Sequence, residues 1–96
     1  MDWKKNQIDD VAQQALILKQ QILDTISIQE AQLQLLLGHD SEIAQDLQSL
    51  SGVETSSALS FKNQLLADKT VLRVDIQDVQ FRLERLRDYL KVNFNQ

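Results

Sequence analysis

Cysteine and proline are absent from this 96-residue chain, glycine occurs twice, histidine once, and aromatic residues make up 5 %. Each shortage closes a route. Without Cys there are no disulfide staples and no thiolate metal sites. Without Pro nothing forces a helix to stop, so Gly38 and Gly52 are the two positions where the backbone most readily leaves a helix. A lone histidine, His39, leaves no partner for an activated-serine arrangement and too few ligands for a zinc centre. No segment approaches the roughly 20 apolar residues that a membrane span requires. The opening MDWKKNQIDDVAQQ is charged and lacks the apolar core of a cleavable signal. The expectation is a cytoplasmic chain with no membrane span, or one co-exported without a classical signal peptide.

What is abundant is Leu, Gln and charge. Unbranched side chains lose little rotamer freedom on a helix, so long helices are expected. The net charge is −4, unevenly spread: residues 1–54 carry three Lys against nine acids, and residues 55–96 carry seven Lys or Arg against five acids. The basic cluster Arg82, Arg85, Arg87 and Lys91 is diluted by Glu84 and Asp88, which argues against nucleic acid as a partner.

A seven-residue ladder runs through Ile8, Ala15, Ile22, Gln29, Leu36, Ile43 and Leu50, with Val11, Ala12, Leu18, Ile26, Leu33 and Leu47 between its rungs. A second pattern links Leu65, Leu72, Val79 and Leu86 with Ile76, Leu83 and Leu90. Both are helical stripes with heptad spacing. The first keeps its phase across Gly38, which a reoriented turn has no reason to preserve. In Ser49-Leu50-Ser51-Gly52-Val53-Glu54-Thr55-Ser56-Ser57, by contrast, apolar density falls, and Thr55 or Ser56 can cap a following helix. The fold expected is all-α: one domain over residues 1–96, an antiparallel two-helix hairpin with coiled-coil-like packing. Helix one covers about 5–49, the turn about 50–55 and helix two about 56–93. A three-helix bundle broken near Gly38 is the alternative. A bend at residues 51–54 places positions whose numbers add to about 105 side by side, bringing Ile22 near Leu83, Ile26 near Val79 and Leu33 near Leu72.

A chain of this length with Leu50-Ser51-Gly52 at the bend, and Leu36-Leu37-Gly38 before it, resembles the small W-x-G (ESAT-like) helical-hairpin proteins of type VII secretion. In that family the bend carries Trp-x-Gly, and a related toxin-targeting domain carries Leu-x-Gly. The family's export signal pairs a Tyr with an acid across three residues. Here Tyr89-Leu90-Lys91-Val92-Asn93 has Asn in the acid's place, so the likeness stops short of that signal. What the resemblance implies is a partner of Leu-x-Gly toxins. Such a targeting factor or chaperone binds the helical leader of a secreted effector, or another small helical protein.

Chemistry is not spelled out. His39 beside Asp40 and Glu42, and the pairs Glu42 with Asp46 and Asp75 with Asp78, read as solvated helix faces with i,i+4 pairs such as Asp78 with Arg82. No catalytic, cofactor-binding or metal residues are assigned, and an enzyme is not expected. Trp3 is expected to pack over the open end near Phe94. Apolar residues off the main ladders are more informative. Ile17, Ile28 and Leu35 share one face of helix one, and Val74, Phe81 and Val92 one face of helix two. A simple hairpin leaves these six exposed, so they are the expected partner-binding residues. Self-association into a four-helix bundle, or a place in a structural coiled-coil assembly, is the alternative use of the same rows.

Overall fold

The computed structural model describes residues 3–94, with side chains from residue 9 onward. Helix α1 is Trp3–Ser49, 47 residues, and helix α2 is Ser56–Phe94, 39 residues. The two pack as an antiparallel all-α hairpin 83 Å long and 17 by 15 Å across. Of the expectations at the open end, the packing of Trp3 and the ladder position of Ile8 concern side chains outside the described residues.

Helix α1 passes through Gly38 without interruption, so the bundle broken at that glycine is not adopted. Leu36, Ile43 and Leu50 are half-buried on one line, and holding that line keeps the helix continuous. The chain turns instead at Gly52. Leu50 N–H donates to Asp46 O at 3.2 Å and Ser51 N–H to Gln48 O at 3.1 Å. Val53 N–H then closes a four-residue turn onto Leu50 O at 3.1 Å. Gly52 occupies its third position at φ 81°, a conformation that side chains disfavour. Lys62 Nζ donates to Val53 O at 2.9 Å and ties the loop to α2. Thr55 is the cap: its Oγ1 accepts from Ala58 N–H at 3.1 Å, satisfying one of the orphan donors of the first turn.

Each helix buries one stripe. The core comprises Ile22 and Ile26 from α1 and Ala58, Leu65, Ile76, Val79, Leu83 and Leu90 from α2, with Val79 at 1 % and Leu83 at 2 % exposure. Leu23, Leu33, Leu36, Leu86 and Phe94 pack against its central cluster. Ile22, Ile26, Val79, Leu83 and the ladder residue Leu90 share that cluster, and Leu33, expected near Leu72, packs against it too. Across the hairpin Arg82 donates to Gln29 Oε1 at 3.4 Å. Gln29 bonds Arg82 and Glu30 bonds Arg87, positions that add to 111 and 117, and Leu33 and Leu36 pack against a cluster whose α2 members start at Val79. Facing positions thus add to about 112, not 105. The difference is one heptad, and a heptad shift leaves every ladder residue opposite another ladder residue, so periodicity alone permits both registers.

Two further departures follow from this seam. Val11, Ala12, Ala15 and Leu18 continue the ladder yet are exposed, because Phe94 already packs at the level of the Ile22 cluster. Asp40, read from sequence as part of a solvated patch, stands on the seam half-buried, and its Oδ1 is enclosed without a hydrogen-bond partner. An enclosed polar atom without a partner there costs stability.

Three substitutions test this description by urea denaturation. A Cβ at Gly38 meets nothing within 4 Å, so Gly38→Ala is expected to stabilise by about 0.5–1 kcal/mol. Gly52→Ala has equal room but a positive φ, and is expected to destabilise by about 1–2 kcal/mol. Asp40→Leu is expected to raise stability by about 1 kcal/mol or more, as a charged seam position becomes apolar.

Candidate binding surfaces

A two-helix hairpin has no interior beyond its seam, so any function must be carried on its outside. The chain exposes 7481 Å², whereas a compact monomer of its 11.0 kDa exposes roughly 5,600 Å². The surplus of about 1,900 Å² follows from the elongated shape. Much of it is apolar, since Leu, Ile, Val and Phe side chains stand exposed along both helices.

The six residues singled out in the sequence are all exposed: Ile17, Ile28, Leu35, Val74, Phe81 and Val92 range from 52 to 77 %. They do not converge. At about 100° per residue, Val74, Phe81 and Val92 point almost directly away from the seam on the back of α2. Ile28 and Leu35 lie about 130° round α1 from its own seam, and Ile17 further still. With helix axes 8–10 Å apart in such packing, a single partner helix cannot lie along both rows. The α2 row is the more strongly built. Phe81 is its large anchor, and the Arg85 guanidinium sits 5.7 Å from the ring centroid, extending the apolar platform with a cation.

Two shallow grooves flank the seam. One is lined by Ser27, Ala31, Leu33, Gln80, Leu83 and Glu84 and is bridged by Arg87 Nη2 to Glu30 Oε1 at 2.7 Å. Both partners of that ion pair are about half exposed, so its contribution is at most about 1 kcal/mol. The other groove is lined by Thr25, Gln29, Arg82, Arg85, Leu86 and Tyr89. The i,i+4 pair expected between Asp78 and Arg82 is not made: among the described residues the ion pair within 4 Å is Glu30 with Arg87, and Arg82 turns to Gln29. Tyr89 stacks obliquely on Phe94, ring centroids 6.3 Å apart.

No group of three or more His, Asp or Glu able to hold a metal ion occurs among the described residues, and none of the described helices is long and apolar enough to cross a membrane. His39 is exposed. Exposed Val71 and Tyr89, and Leu59, Phe61 and Leu66 near the turn, escaped the sequence reading. They belong to neither ladder, and only their spacing relative to the observed seam shows that they face water. No family model, curated protein or solved structure matches the chain.

If the α2 row is surface rather than core, Phe81→Glu and Val92→Glu are each expected to leave the helical circular dichroism intact and to shift unfolding free energy by about 0.5 kcal/mol or less. A loss of several kcal/mol in either variant would place the side chain in the core.

Proposed function

We propose that this chain is a small helical binding module, a targeting factor or chaperone that docks the helical leader of a secreted effector or toxin in a type VII secretion setting. The observation that carries the reading is the row Val74, Phe81 and Val92, exposed along the back of α2 with Arg85 stacked beside its central ring. An amphipathic client helix presents anchors at i, i+3, i+4 and i+7, and such a row is its natural counterpart. Aromatic and Arg side chains are the types that most often dominate binding energy. The type VII setting draws support from Leu50-Ser51-Gly52 occupying the bend, with the glycine at positive φ. The chain acts by binding rather than by turnover in this reading, and it needs no cofactor. A structural coiled-coil subunit is the second reading, favoured by the separate exposed pair Ile28 and Leu35 on α1.

Co-expression with the helical leader of a Leu-x-Gly toxin from the same genome tests the first reading. The two are expected to co-purify as a stoichiometric complex. Phe81→Glu should weaken it at least thirtyfold, the loss of about 2 kcal/mol that truncating a central anchor brings. If no such leader is retained, or if Phe81→Glu and Val92→Glu bind as well as the unsubstituted chain, the proposal fails.

A further inference from the structure

A second exposed line runs along α2 between its seam and its apolar back. Val71, Asp75, Asp78, Arg82, Arg85 and Tyr89 follow one another at spacings of four and three, and all are exposed. At about 100° per residue they form a stripe about 100° round α2 from the seam residues, on the side of the Thr25, Gln29 and Tyr89 groove. Its order is apolar, acid, acid, base, base, apolar. Read against itself in the opposite direction, every acid meets a base and every apolar residue an apolar one: Val71 meets Tyr89, Asp75 meets Arg85 and Asp78 meets Arg82. The centre of that arrangement is residue 80. Within the chain Asp75, Asp78 and Arg85 make no ion pair closer than 4 Å among the described residues, so these charges are not already spent on one another.

Helix α1 supplies an independent match. Its exposed Ile28 and Leu35 lie on the same flank, and they meet each other under a two-fold operation centred between residues 31 and 32. That centre and residue 80 stand level in the hairpin. Gln29 lies two to three residues toward the open end from the first and Arg82 two residues toward it from the second, and the two side chains are hydrogen-bonded. One axis therefore satisfies both helices.

We propose that this face binds a second copy of the chain, as an isologous antiparallel four-helix bundle in which α1 packs on α1 and α2 on α2, with turns at opposite ends. Closed two-fold symmetry requires such a self-complementary patch. An interface of standard size takes about 800 Å² from each partner, well within the surface surplus, and the bundle geometry is a common one for paired hairpins. Val74, Phe81 and Val92 stay outside the bundle, so the inference does not rest on the client-binding reading; Arg85, which also flanks the Phe81 ring, is common to both surfaces.

Size-exclusion chromatography with multi-angle light scattering on the full chain tests it. The unsubstituted chain is expected at twice 11.0 kDa. The double variants Asp75→Arg/Asp78→Arg and Arg82→Asp/Arg85→Asp should each be monomeric and helical alone, with dimer dissociation constants raised at least tenfold by like-charge contacts. Mixed in equal amounts they should form a heterodimer, since all four contacts then join opposite charges. The chain has no native cysteine, so Ile28→Cys/Leu35→Cys should oxidise to a covalent dimer. Seven residues apart on one helix, roughly 10 Å, the two thiols cannot bridge within a chain. A monomeric unsubstituted chain overturns the inference, as does either charge variant remaining dimeric alone or a mixture that stays monomeric. Val92→Glu should keep the dimer while losing the client, which separates failure of this inference from failure of the other.

Discussion

A helix can turn only a stripe of its surface toward a single neighbour, and in this chain each helix has one neighbour. The eight buried apolar side chains among the described residues therefore lie along one seam, led by Val79 and Leu83. Everything else in the molecule follows from that economy. The hairpin is long and thin, most of its residues meet water, and apolar residues that a third layer would cover remain on the outside. A thin core also explains why backbone details carry weight here, since stability rests on few contacts and a single capping bond or a single glycine is a large share of it.

The seam sets direction but not position. Heptad spacing on both helices makes registers seven residues apart nearly equivalent in apolar matching, and the choice falls to the turn. Gly52 closes the turn at positive φ, Thr55 caps α2 and Lys62 holds the loop carbonyl of Val53. Asp40, half-buried with an unpartnered oxygen, stays on the seam in either register, so it costs stability without choosing between them. The cross-hairpin contacts of Gln29 with Arg82 and Glu30 with Arg87 then decorate a register already chosen.

The outer surfaces divide into two kinds. The back of α2 is apolar with one aromatic anchor, the surface a groove-binding or helix-binding partner exploits through burial. The flank that joins Ile28 and Leu35 to the Val71–Tyr89 stripe alternates apolar and charged residues in an order that complements itself. Burial supplies affinity, whereas opposed charge rows chiefly supply orientation and discrimination. The two surfaces adjoin on α2 and share Arg85, which flanks the Phe81 ring, while Val74, Phe81 and Val92 themselves face away from the self-complementary flank.

Much of this was legible without coordinates. The ladder through Ile22, Leu36 and Ile43 and its counterpart through Leu72, Val79 and Leu86 announce two long helices. The phase kept across Gly38 and the Ser/Thr cluster after Gly52 distinguish the glycine that is carried from the one that turns. Exposure of Ile17, Ile28, Leu35, Val74, Phe81 and Val92 follows from the same periodicity, since residues far from a helix's stripe cannot reach its one neighbour. The register was not legible, because a heptad repeat matches itself after seven residues. For the same reason the exposure of Val11 and Leu18 and the seam position of Asp40 waited for the structure. Which exposed rows share a flank was also decided there, since spacing along one helix gives angles about its own axis, and only packing of the second helix relates one axis to the other.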